Sequence, residues 1–160
     1  MNKQLLKIST LATPAMIICG LLASGVPAMA ESEDGSCSNR TLSGDYGFTI
    51  EGVVFAIPGV TLPPGTALPL RGVAMTNFDG KGNLTQVDHV LVGGAPPPKE
   101  WTPGSGTYTV NPNCTGTAVI NIPGNPLSPA KLHFVVVRQG REIHTVVEAN
   151  AVSSVGIKVE

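Results

Sequence analysis

The chain has 160 residues, of which 42% are hydrophobic and only 13% charged, and ten basic side chains stand against eleven acidic ones for a net charge of −1. That balance argues against a nucleic-acid partner or an anionic membrane surface, both of which demand clustered Lys and Arg. The length suits one domain with a single core.

The first thirty residues read as a cleaved secretory signal peptide (1–30). Lys3 and Lys7 precede an apolar run from Leu11 to Leu22, and Val26-Pro27-Ala28-Met29-Ala30 puts small residues where a signal peptidase needs them, so the cut is expected before Glu31. As a membrane anchor the run falls short of the ~20 residues a span requires. Pro14, Gly20, Ser24 and Gly25 interrupt it besides, so no stable membrane insertion is expected after cleavage. Cys19 follows bulky Ile17 and Ile18, which disfavours lipid attachment there. Loss of Lys3 and Lys7 leaves eight basic against eleven acidic residues, a mature charge of −3. The expected location is secreted or periplasmic. The mature chain then holds two cysteines, Cys37 and Cys114. In an oxidising compartment they are expected to form a disulfide, two buried free thiols being the alternative. Closing a loop of this length stabilises by roughly 4 kcal/mol in the chain-entropy model.

Residues 31–40 form a polar N-terminal segment expected to be flexible, and 41–160 the folded domain. Tyr46, Phe48 and Ile50 alternate with Thr49 and Glu51, the period of a half-buried strand over Thr41–Phe55. Pro58, Pro63 and Pro64 make Ile57–Leu68 a stiff loop. Leu70–Phe78 and Leu84–Val92 read as strands around Asp79-Gly80-Lys81-Gly82-Asn83. A second Pro-rich loop, with Pro96-Pro97-Pro98 and the single tryptophan Trp101, leads to a hairpin turning at Asn111-Pro112-Asn113, whose second strand starts at Cys114. Strands over Ala130–Arg138, Arg141–Ala149 and Val152–Val159 complete the chain. With about eight strands, mostly short turns and no helical period, the fold class is all-β. It is expected to be a single small antiparallel β-barrel, a meander closed on itself, with a two-sheet sandwich as the alternative.

Gly44-Asp45-Tyr46-Gly47, Phe78-Asp79-Gly80-Lys81-Gly82-Asn83-Leu84 and Gly106-Thr107-Tyr108-Thr109-Val110-Asn111-Pro112-Asn113-Cys114-Thr115-Gly116-Thr117 resemble a group of uncharacterised secreted bacterial proteins. The resemblance implies a barrel similar to allene oxide cyclase and to the lipocalin-like calycins. Its motifs are turns and strand starts, so it implies architecture. Cyclase or isomerase activity follows only by analogy of fold.

The three histidines all fall in expected strands. With a two-residue turn at Gln139-Gly140, Lys131, His133, Val135 and Val137 oppose Glu148, Val146, His144 and Glu142 on one face. Leu132, Phe134 and Val136 against Ile143, Thr145 and Val147 make the other face, which reads as core, so the histidine face is expected outside, with Lys131 and Glu148 as an exposed ion pair. Turned inward, the same face would make a proton-moving pocket, or with a carboxylate an incomplete metal site. No metal or other cofactor is expected.

A five-residue turn pairing Phe78 with Leu84 groups Val73, Met75, Val87, His89 and Leu91 on an apolar face, which makes His89 the candidate lumen histidine, either satisfied there by a hydroxyl or carbonyl or contacting a ligand. Glu51, in pattern with Val53 and Phe55, reads as solvent-exposed, with a perturbed general base as the alternative. Trp101 with its proline run either offers an apolar lip at a barrel mouth rimmed by both Pro-rich loops or merely plugs the barrel end, and Tyr108 lies on the strand beyond. His89, Trp101, Glu51 and Tyr108 are thus the candidate ligand-binding residues, and no catalytic residue is assigned. The chain contains no nucleophile elbow, phosphate loop or CxxC pair, and Asp79–Asn83 has too few carboxylates for a calcium loop. Asn39-Arg40-Thr41 and Asn83-Leu84-Thr85 match glycosylation acceptors by chance, given the bacterial character of the leader. The expected function is binding of a small apolar ligand in the lumen. A cyclase or isomerase with His89 or Glu51 polarising its substrate is one alternative, a structural envelope protein with a filled barrel another.

Overall fold

Each run in which residue character alternates with period two becomes a strand, because alternate side chains then share one face. The computed structural model describes residues 36–160; the proposed leader and residues 31–35 lie outside the described residues. Eight strands follow in order: β1 (Ser43–Val54), β2 (Leu68–Asp79), β3 (Asn83–Val92), β4 (Thr102–Val110), β5 (Thr115–Asn121), β6 (Ala130–Val137), β7 (Glu142–Val147) and β8 (Ala151–Lys158). Every neighbour in sequence is an antiparallel neighbour in space, and β8 returns to pair with β1. The result is a closed barrel and not a sandwich, so none of the eight strands is left with an unpaired edge.

Register follows from the turns. Asp79 accepts backbone N–H bonds from Lys81, Gly82 and Asn83 at 2.7–2.9 Å and a fourth bond from the Asn83 side chain. The Asn83 side chain foremost, then these amides, holds the Asp79 carboxyl down at about 2. The turn thereby pairs Phe78 with Leu84. Between β6 and β7 the chain turns through Gln139 and Gly140, both at positive φ, so that Val137 faces Glu142.

One end of the barrel is closed. Short turns β2–β3, β4–β5 and β6–β7 gather there, and the segment from Cys37 to Leu42 folds across them as a plug. A 3₁₀ turn at Asn39–Thr41 delivers Leu42 fully buried into the barrel. Cys37 is bonded to Cys114 with Cα atoms 4.9 Å apart, and its amide donates to the Pro112 carbonyl. The last residues of the expected flexible segment are therefore tied down. Three side chains could not have been assigned this role from pattern alone: Tyr108 donates its hydroxyl to the Leu42 carbonyl at 2.9 Å, Tyr46 donates to the Gly140 carbonyl, and Asn39 accepts from the Val110 amide. Phe78 packs edge-on between the two tyrosines. Burial foremost pushes both phenols above their ordinary pKa.

The opposite end is an open mouth, framed by the long β1–β2, β3–β4 and β5–β6 connections and the Glu148–Asn150 turn. Here Asn150 is the brace: its side-chain oxygen accepts from the Phe55 and Ala56 amides at 2.9 and 3.3 Å.

Candidate functional site

Most inward positions are small or apolar, but they do not fill the barrel. A cavity of about 500 Å³ occupies the lumen, floored by Leu42, Phe48, Phe78 and Phe134. Two glycines keep it open. Gly156 faces Phe48 and Gly116 faces Phe134 across paired strands, and a Cβ on either would overlap the phenyl ring. Each ring thus lies back over bare backbone instead of projecting across the lumen.

The mouth belongs to the β1–β2 loop at Ala56, Ile57 and Pro58, to Asn125, Leu127 and Pro129 after β5, and to Lys131 and Glu148. Of the two Pro-rich loops expected at the rim, only the first lines the cavity.

Polar groups enter the lumen in two places. Thr145 on β7 and Ser154 on β8 hydrogen bond to each other at 2.7 Å and are mutually satisfied. On the other wall, Thr76 of β2 donates to Gln86 Oε1 at 3.5 Å and Gln86 Nε2 donates to Asp88 Oδ2 at 2.9 Å. Asp88 is 3% exposed, the only buried acid among the described residues. Burial foremost raises its carboxyl above the ordinary value, against smaller lowering effects of the Gln86 bond and of His89. Gly104, opposite Gln86 on β4, leaves the space that the Gln86 side chain occupies.

The residues singled out from the sequence lie elsewhere. His89 pairs with Val73, and Met75 with Val87, as the turn dictates. That face points outward, however: Val73, Met75 and Val87 are 40–47% exposed. His89 stands on the outer wall, its Nδ1 donating to the Glu100 carbonyl at 2.7 Å, with the Trp101 ring 6.3 Å away. Trp101 is about half exposed and forms no lip of the cavity. Glu51 is also outside, 4.0 Å from Arg71. Tyr108 is buried, but its hydroxyl belongs to the plug. The structure brings His89 and Trp101 together, and none of the four lines the cavity. The face assignment failed because an apolar run was taken as the sign of the inside, whereas both faces of β2–β3 carry apolar residues and Val73, Met75 and Val87 belong to the outer one. Phe78 and Leu84 carried the correct signal. They share a face with Thr76, Gln86 and Asp88, and large apolar residues beside a tight turn mark the plugged end of the lumen.

The β6–β7 hairpin does follow the expected faces, with Leu132, Phe134, Val136, Ile143, Thr145 and Val147 inward. Both histidines are exposed on its outer face. Glu148 accepts from His133 at 2.9 Å, where a Lys131 partner was expected, while Glu142 accepts from His144 at 2.6 Å and from Arg138 at 3.1 Å. A lumen proton-transfer pocket built on His133 and His144 is thereby overturned. No group of three metal-ligating side chains occurs among the described residues.

No protein-family model matches the chain, and neither a curated protein nor a solved structure matches it. No helix among the described residues is long and apolar enough to cross a membrane.

Proposed function

We propose that this is an exported protein, secreted or periplasmic, that binds a small, mostly apolar molecule in the barrel lumen. The observation that supports this reading is the cavity itself. Its volume of about 500 Å³ lies within the range of small-molecule sites, and its lining is apolar with a few converging polar groups. A barrel serving only as structure gains nothing from a void, which forfeits packing contacts. Export is supported by the disulfide, which needs an oxidising compartment. The test is native mass spectrometry of protein purified from its own host, followed by titration with the fluorescent probe phenylnaphthylamine. A co-purifying molecule, and saturable binding that Ala118→Trp abolishes by filling the lumen, is the expected result. A protein that arrives empty and leaves the probe dark would end the reading.

One observation favours a second reading, that of an isomerase or cyclase similar in fold to allene oxide cyclase. Asp88 is an acid at the lumen wall whose carboxyl burial pushes above its ordinary value, the direction that favours a carboxyl able to protonate a substrate oxygen. His89 and Glu51 cannot play this part from the outer wall. An enzyme would lose turnover on Asp88→Asn with binding largely intact, whereas a binding protein has no turnover to lose.

A further inference from the structure

We propose that the lumen ligand carries one neutral oxygen, a carbonyl or a hydroxyl, that docks on Asp88 at the β2–β3 wall while the rest of the molecule lies against apolar side chains. This rests on the lumen-binding reading and names the chemistry of its ligand.

Asp88 stands at the end of a chain of hydrogen bonds. Thr76 and Gln86 satisfy each other and then Asp88 Oδ2, and among the described residues Gln86 is the only side-chain hydrogen-bond partner of that carboxyl. Oδ1 is left over. No buried side-chain nitrogen or oxygen among the described residues lacks a partner, so Oδ1 must reach open space. Asp88 is otherwise buried and lines the cavity, so that space is the lumen. A buried polar atom held at a cavity wall with its own scaffold complete is what a ligand's polar group would satisfy.

The surroundings choose the class of that group. Around Asp88 the lining is Ala74, Phe48 and Val90, and the charged residues that line the cavity besides Asp88, Lys131 and Glu148, are exposed residues of the mouth. A ligand carboxylate or phosphate docked on Asp88 would be desolvated beside an acid with no cation to compensate it. A carbonyl accepts a hydrogen bond from the protonated carboxyl, the form that burial favours, and a hydroxyl can donate to Oδ1 in either form or accept from the protonated one. An ammonium group is the competing possibility, since it would draw Asp88 into its ionised form.

A matched series on one skeleton separates these outcomes: ethylnaphthalene, acetylnaphthalene, naphthoate and naphthylethylamine, each titrated into the oxidised protein at neutral pH. The ketone is expected to bind about five- to tenfold tighter than the hydrocarbon, as one net hydrogen bond allows, with naphthoate and the amine weaker than the ketone. Asp88→Leu, with the same branched heavy-atom skeleton and no polar atom, should bring ketone and hydrocarbon to equal affinity by removing the ketone's advantage. Asp88→Asn keeps an N–H donor and should retain the ketone's preference. Ketone and hydrocarbon binding equally to the unmutated protein would overturn the head-group assignment and leave the lumen-binding reading standing. Naphthoate or the amine binding tightest would overturn it too, as would a ketone preference that survives Asp88→Leu. If none of the four binds while phenylnaphthylamine does, the head-group assignment is overturned; if the protein arrives empty and leaves that probe dark as well, the lumen-binding reading fails and takes this inference with it. The comparison on the unmutated protein is decisive even if Asp88→Leu does not fold.

Discussion

The two ends of the barrel are built from opposite materials. At the closed end, three tight turns, a disulfide, two buried tyrosine hydroxyls and the Cys37–Leu42 plug hold one another, with Leu42 and Tyr46 fully buried. At the mouth the connections are long and proline-rich, and a single side chain, Asn150, ties the β1–β2 loop to the β7–β8 turn. Cross-links are thus concentrated where there is no opening, and the open end is left with few. Low local stability at an entrance is the usual accompaniment of exchange with solvent.

Breaking the closed end should have the largest effect. The disulfide spans 77 residues, and replacing both cysteines by serine should cost about 4 kcal/mol in the chain-entropy model, seen as a fall in the denaturant midpoint. An unchanged midpoint would mean that the hydrogen bonds alone hold the plug. Next comes Gly156→Ala, whose new methyl must displace the Phe48 ring toward the lumen. Overpacking should cost about 1–3 kcal/mol and also weaken probe binding, which a purely local strain would not do. Tyr108→Phe strips the Leu42 carbonyl of its hydroxyl donor and leaves the Asn39 carbonyl with the Leu42 amide alone, and calorimetry should show a loss of about 1–3 kcal/mol.

At the mouth the same kind of change should matter less. Asn150→Ala is expected to cost about 1 kcal/mol and to speed hydrogen exchange at the Phe55 and Ala56 amides, while the Cys37 and Val110 amides of the plug stay protected. Equal acceleration at both ends would refute the division. Asp88→Asn is smallest in acid and grows with pH. Unfolded, Asp88 titrates in the ordinary carboxylate range; folded, it titrates higher. Between the two values the unfolded chain has released a proton that the folded chain still binds, so Asp88 lowers stability as pH rises through that window and holds it down above. The variant should therefore melt with the unmutated protein below about pH 3 and above it at neutral pH. A melting difference independent of pH would show that Asp88 ionises freely.

Hairpins were legible in the sequence to the residue where the turn declared itself. Gln139-Gly140 fixed β6 against β7, and Asp79–Asn83 fixed β2 against β3. The inner face was legible in one hairpin and not in the other. In β6–β7 one face carries Leu132, Phe134 and Val136 and the other His133 and Lys131, so polarity and burial agree. In β2–β3 they conflict, because the outer wall carries Val73, Met75 and Val87 while the lumen takes Thr76, Gln86 and Asp88. Binary pattern misleads where polar groups line an internal cavity, since they then face enclosed space and not bulk solvent.

By itself the sequence determined strand positions, antiparallel register, the Cys37–Cys114 pairing and the all-β class, because each of these depends on local period, turn chemistry or the count of thiols. Only the tertiary structure decided which face of β2–β3 became the lumen, that Gly116 and Gly156 let two phenyl rings lie back and leave a cavity, and that Cys37–Leu42 closes one end. All three depend on what stands across the barrel, and no stretch of sequence carries that information in its own pattern. Asp88 reads as an ordinary strand acid until eight strands close around it.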